Sequence, residues 1–236
     1  MNDIIFKKNI FGYFNRLKFK YQQPVKIRSF KYEKTNDYYL YSTVIVQNKR
    51  TIMIQPIIRI SDYNSSNPFN LNKFSMVSVR LNIKNMKKII NITMRFLQNI
   101  CKIDITKLGC VSISENNSYG YQGIESFIPQ LKSWGISENN ILIRDADEAV
   151  AQGSGDGFWR DPDPDFSNYQ YWTITLYYQL ANNSNISDYT DYTKWVEIGE
   201  MLEQSSVMGY ERLKYVIQNK NKDKSILNQN LYERNN

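Results

Sequence analysis

Residues 85–101, NMKKIINITMRFLQNIC, set Met86, Ile89, Ile90, Thr93, Phe96, Leu97 and Ile100 at three- and four-residue spacing. That is the period of a helix with one buried face. The segments around it follow a different period. DYYLYSTVIVQ (37–47), NKRTIMIQPIIRIS (48–61, opening on an Asn48-Lys49 turn signal) and KFSMVSVRLNI (73–83) mix β-branched and aromatic residues with alternating polarity. GCVSIS (109–114), NILIRD (140–145) and YWTITLYYQL (171–180) do the same, so all six read as strands. Pro56 marks a bulge or an edge within the second. A further helix is expected over 123–135, ending at Gly135, and a short amphipathic one after Gly209. The polar run 61–70 reads as a loop, 145–168 as a structured loop rich in Gly, Pro and Asp, and 194–204 fits strand and helix equally. Strands in succession with few helices exclude the regular alternation of a doubly wound parallel sheet. The expectation is one α+β domain, an antiparallel sheet flanked by helices over residues 1–218, followed by a flexible polar tail, 219–236.

Composition narrows the chemistry. The 236-residue chain contains no histidine, so a Ser-His-Asp triad, a Cys-His pair and a His-ligated metal are all excluded. Cys101 and Cys110 make neither a disulfide framework nor a four-cysteine zinc site, and a reduced cytoplasmic setting is expected. No apolar run reaches the length of a membrane span, so no membrane partner is expected. The net charge of +7 accompanies abundant Lys, Asn, Ile and Tyr, a bias that AT-rich coding produces without a nucleic-acid partner. Chemistry must therefore run on arginine, lysine, carboxylates and backbone donors, which favours positioning and charge stabilisation.

VMGYERLKYVI (207–217) resembles the third signature of class II aminoacyl-tRNA synthetases, in the "GMGLERL" form of alanyl-tRNA synthetases. Other segments resemble that family in the same order. RTIMIQPIIR is similar to the second signature, with Arg50, Gln55 and Arg59 at its spacing. KFSMVSV resembles the "FFEML" strand, and 85–101 stands where the family has its Trp-rich helix. Gly157-Phe158-Trp159 takes the place of "NFW", and WTITLYY that of "SEIYYD". The resemblance spans roughly residues 10–218. It implies a class II synthetase-like core that binds ATP, with Mg2+, and activates an amino acid as an aminoacyl-adenylate. Arg59 would contact the α-phosphate and Arg212 the γ-phosphate side, with Arg50, Gln55, Met76, Gly209 and Glu211 around the nucleotide. Trp159, Ser205, Val207 and Glu200 would line the amino-acid subsite. Because class II cores pair, it also implies a homodimer.

Plainer readings stand beside these. Arg59 also reads as a strand-end surface arginine, and Arg212 as a helix residue paired with Glu203 or a nearby aspartate. Trp159 and Met76 also read as core, and Glu211 as a fold support. The sequence departs from the family where the substrate amine is gripped: the family aspartate is Ser205 and a family glycine is Val207. Glu200, aligned on an asparagine of "EIWNLVF", supplies an acceptor from another position. The chain ends just after the third signature, so the expected acceptor is a small molecule, a carrier or an RNA (a tRNA included). The alternative reading is a catalytically degenerate paralogue that binds a nucleotide or an amino acid in a regulatory role.

Overall fold

The computed structural model describes residues 2–24, 28–32, 37–41, 50–59, 66–71, 73–153, 155–160 and 170–219, with the backbone alone at 28–32, 37–41 and Arg59. The expected tail lies outside the described residues beyond Asn219. Helix α1 (Asp3–Arg16) leads into β1 (Lys20–Tyr21), and β2 (Arg28–Tyr32) and β3 (Asp37–Tyr41) form a hairpin. Strands β4 (Thr51–Arg59) and β5 (Lys73–Arg80) precede α2 (Met86–Asn99) and β6 (Leu108–Ile113). After α3 (Ile128–Ser133) come β7 (Ile141–Arg144), α4 (Ala146–Gln152), β8 (Phe158–Arg160), β9 (Gln170–Trp172) and β10 (Ile174–Gln179). The described chain closes with β11 (Trp195–Met201), β12 (Ser205–Gly209) and α5 (Tyr210–Asn219).

One sheet carries the structure, in the order β2-β3-β4-β5-β12-β11-β10-β6-β7, with β1 parallel to β4. Every other pairing in it is antiparallel except β6 with β7. β8 and β9 pair separately. The helices cover one face. Ile10 and Phe14 of α1, Ile89 and Leu97 of α2, Leu131 of α3 and Leu213 of α5 are buried in a single cluster with Val77, Val79, Leu176, Ile198 and Met208 from the strands. Burial at that face is the main source of stability. Asp3 also ties α1 to α5: it accepts from Tyr210 Oη at 2.8 Å and from Lys214 Nζ at 2.7 Å. These donors and Lys7 hold its carboxyl well below the ordinary range.

Helix α2 has the limits its periodicity predicts, and Asn85 caps it by accepting from the Lys88 N–H at 2.9 Å. Three expectations are corrected. The segment 123–135 is a 3-10 turn at Glu125–Phe127 running into α3, with Pro129 in the first turn, where its missing N–H costs nothing. The stretch read as loop from 145 contains α4, capped by Asp145, which accepts from Asp147 and Glu148, and closed by Gly153 at φ 76°. The expected strand 171–180 is two strands with Thr173 between them. Pro56 keeps register with Ser75 on β5, and among the described residues neither β1 nor β3 pairs beside it.

The ambiguous stretch 194–204 resolves as β11. Its register with β10 shifts between Leu176 and Tyr177, so Leu176 pairs with Gly199 and Tyr177 with Glu197. The backbone of β12 runs so close that a Cβ on Gly199 would lie 2.3 Å from the Val207 carbonyl oxygen and 2.7 Å from Met208 Cα. Only glycine fits this bulge. Gly199→Ala is expected to cost about 3 kcal/mol, at the upper end for overpacking because backbone rather than a flexible side chain must move. Urea unfolding of the two forms measures it; equal midpoints would refute the close approach.

Candidate functional site

The sheet face away from the helices is laid out by register. Gln55, Met76 and Gly209 share one row, Met53, Ser78 and Val207 the next, and Thr51, Arg80 and Ser205 the third. Glu200 pairs with Val207 on one side and Thr175 on the other, which continues the second row across β11 and β10. Glu197 pairs with Tyr177 and alternates with the buried Val196 and Ile198. A turn at Gly155–Gly157 lies against this part of the sheet: the Gly157 N–H donates to Thr175 Oγ1 at 3.3 Å. A Cβ on Gly155 would lie 3.9 Å from Glu200 Oε1.

The Gly209-Tyr210-Glu211-Arg212 tetrad occupies the place where β12 leaves the sheet. Beyond Gly209 the flanking strands β5 and β11 lose their shared neighbour. The Glu211 carboxylate accepts from the Ser75 N–H of β5 at 2.8 Å. The Arg212 guanidinium reaches the other side, donating from Nη1 to the Glu197 carbonyl at 3.3 Å and pairing with Glu197 Oε2 at 2.8 Å. Its Nε donates to the Phe69 carbonyl at 3.2 Å and Nη2 to Asn70 Oδ1 at 3.4 Å. Gly209 leaves room for this side chain, since a Cβ there would stand 3.2 Å from Arg212 Cδ. Burial raises the Glu211 carboxyl, opposed by the hydrogen bond from Ser75.

The expected residues fall into separate places. Arg212, Gly209, Gln55 and Met76 lie together at the end of the sheet where β12 stops, with Glu200 and Val207 one row away. Ser205 lies at the far end of β12, opposite Arg80. Arg50 lies beyond that same end of β4, its guanidinium 4.4 Å from the centre of the Phe19 ring. Gln55 is buried and donates to the Pro56 carbonyl at 3.0 Å. Trp159 is half-buried and stacks on Tyr171 at 6.0 Å, whereas its neighbour Phe158 is in the core. Arg59 ends β4 opposite Tyr39, two residues beyond Ile57 in the alternation that includes Gln55. Its side chain lies outside the described residues, and with it the expected convergence on Arg212. Arg212 takes Glu197 rather than Glu203, which pairs with Lys84 at 2.7 Å.

Three residues of this region were not singled out from the sequence: Asp156, Tyr177 and Glu197. Tyr177 Oη donates to Asp156 Oδ1. Arg144 Nη1 holds the turn by donating to the Asp156 carbonyl at 3.0 Å and to Gln152 Oε1 at 2.9 Å. Asp156 takes φ 55°, the left-handed region that side chains seldom adopt. Burial raises its carboxyl above the ordinary value; the Tyr177 hydrogen bond opposes this and the Glu197 charge adds to it. Burial likewise pushes the Tyr177 hydroxyl well up. The face thus sets the Arg212 guanidinium near several carboxylates, a layout suited to an anionic group at Arg212 and a cationic one at Glu200 and Asp156. Among the described residues no group of three or more Asp, Glu or Cys is placed to hold a metal ion.

Two outcomes follow from this geometry. Glu211→Ala leaves the Ser75 N–H without its acceptor and is expected to cost about 1–3 kcal/mol in urea unfolding, while Glu211→Gln, which keeps an acceptor oxygen, costs less. Asp156 carries the opposite sign. Its folded carboxyl holds a proton to higher pH than the unfolded one, so ionisation penalises the folded state as pH rises above the ordinary value of 3.8. Asp156→Asn should therefore match the parent near about pH 4 and gain on it toward about pH 7. A stability difference that is flat across that range would refute this.

No protein-family model matches the chain, and no curated protein matches it. Among solved structures, apo histidyl-tRNA synthetase of S. aureus matches with a TM-score of 0.50 at 11% identity. The match covers 92% of this chain and 66% of that one. At this identity the likeness concerns architecture: the chain has a class II aminoacyl-tRNA synthetase-like fold, a large sheet flanked by helices. Among the described residues no helix is long and apolar enough to cross a membrane.

Proposed function

We propose that the sheet face away from the helices binds ATP and an amino acid and joins them as an aminoacyl-adenylate. One observation carries this reading: Arg212 is fixed at the end of β12, on a class II-type sheet, in the same neighbourhood as Gln55, Met76 and the carboxylate of Glu200. A carboxylate oxygen of the amino acid attacks the α-phosphorus, the bond from that phosphorus to the bridging oxygen breaks, and pyrophosphate departs with the electron pair. Arg212 holds the γ-phosphate side and Arg59 the α-phosphate, where negative charge builds. Glu200 takes the ammonium group, with Trp159 and Met76 as apolar walls. Magnesium would travel on the triphosphate, because no described carboxylate cluster forms a cage for it. The activated acyl group would pass to a small molecule, a carrier or an RNA, in a cytoplasmic homodimer whose two cysteines stay free and buried.

The alanyl-type signature gives the closest sequence form, but Val207 fills the space beside Glu200 and Ser205 lies at the other end of its strand. Alanine is therefore one candidate in a panel. A second reading, a nucleotide-binding regulatory paralogue without transfer chemistry, is favoured by the Glu197–Arg212 ion pair, which already neutralises the phosphate-binding arginine.

Pyrophosphate exchange with ATP, magnesium and each amino acid tests the enzyme. Exchange with at least one amino acid is expected, lowered by about 100-fold or more in Arg212→Ala. Silence across the panel with an ATP-dependent rise in melting temperature selects the regulatory reading. Silence without that rise defeats both.

A further inference from the structure

Arg212 has no slack in its present setting. Its Nε, Nη1 and Nη2 atoms are engaged by the Phe69 carbonyl, the Glu197 carbonyl and carboxylate, and Asn70 Oδ1. Three of those acceptors are neutral and would remain good partners beside a bound phosphate. The Glu197 carboxylate differs from them. It stands 2.8 Å from the guanidinium, where a phosphate drawn to Arg212 would also sit. A phosphate and a carboxylate compete for the same donors, and like charges in adjacent positions repel. We propose that Glu197 is an internal competitor for the triphosphate: it preorganises Arg212 in the empty site and must yield that arginine when a nucleotide binds.

The surroundings of Glu197 support displacement rather than a permanent lock. The ion pair is partly open to solvent, 19% exposed at Arg212 and 36% at Glu197, so water can solvate the Glu197 carboxylate when the pair opens. The backbone half of the contact, from Arg212 Nη1 to the Glu197 carbonyl, does not depend on the carboxylate and can keep the guanidinium in place. On its other side Glu197 faces Tyr177, whose hydroxyl is already given to Asp156. The released carboxylate thus meets another carboxyl rather than a second cation, which makes the nucleotide overcome a real cost. Glu197 thereby sets affinity at the site without itself contacting phosphate.

This inference rests on the nucleotide reading above, and titration calorimetry separates the two. Glu197→Gln keeps the side-chain shape and an acceptor oxygen while removing the charge. It is expected to lower the Kd for ATP by about 5- to 20-fold, the range of a modest coupling between two ligands of one group. AMP, which lacks the terminal phosphates, should bind both forms within about twofold, a contrast that a merely structural role would not produce. Glu197→Ser gives the same readout if the amide disturbs the strand. Equal or weaker ATP binding by both variants overturns this inference alone. Absence of ATP binding by parent and variants alike overturns the nucleotide reading, and this inference with it.

Discussion

The architecture of the site depends on how β12 leaves the sheet. A strand that stops between two longer neighbours exposes an N–H on one and a carbonyl on the other, and unpaired backbone groups at a half-buried position are costly. Here the first turn of α5 supplies both missing partners from adjacent side chains, Glu211 to β5 and Arg212 to β11. Carboxylate and guanidinium are suited to this because one only accepts and the other only donates. The same event fixes a partly exposed guanidinium at the point where β12 leaves the sheet. Structural repair and ligand readiness thus have a common origin in two residues.

That common origin explains why the tetrad alone is ambiguous. A Gly-x-Glu-Arg sequence following a strand satisfies a purely structural demand whenever α5 starts at that level. What adds chemical content is the company it keeps: Gln55 and Met76 in the same row, Glu200 in the next, and Glu197 in direct contact. These come from three strands, β4, β5 and β11, and the antiparallel register brings them together.

Much of the fold is legible where a single period runs uninterrupted. Helix α2 is readable because it buries one face over several turns, and strands β4, β5, β6 and β7 because they are short runs rich in β-branched and aliphatic residues, from the fully buried β6 to the half-buried β7. The ambiguity of 194–204 has a definite physical cause. The bulge at Gly199 shifts the alternation, so Trp195, Val196, Ile198, Gly199 and Met201 are all buried, a spacing that imitates a helix. Glu197 was hidden for the same reason. Helix α4 was missed because seven residues are too few for a periodic signal, although its Asp145 cap, acidic first turn and closing Gly153 were all present in the sequence. Asp156 and Tyr177 became a pair only through a turn that folds back across β10, which no local pattern encodes.

The acidic character of the face then bears on what it selects. An arginine kept in a pre-set position by neutral acceptors loses little entropy when an anion arrives, whereas an arginine kept there by a carboxylate must first exchange partners. The chain combines the two, with Phe69, Asn70 and the Glu197 backbone giving position and the Glu197 side chain giving opposition. A monophosphate that does not reach Arg212 would not meet that opposition, whereas a triphosphate whose terminal phosphate reached it would have to displace the Glu197 carboxylate. The opposition would therefore act on the long phosphate chain in particular. On the proposed reading, the carboxylate that holds this arginine in the empty site would lower affinity for the triphosphate without changing that for a monophosphate.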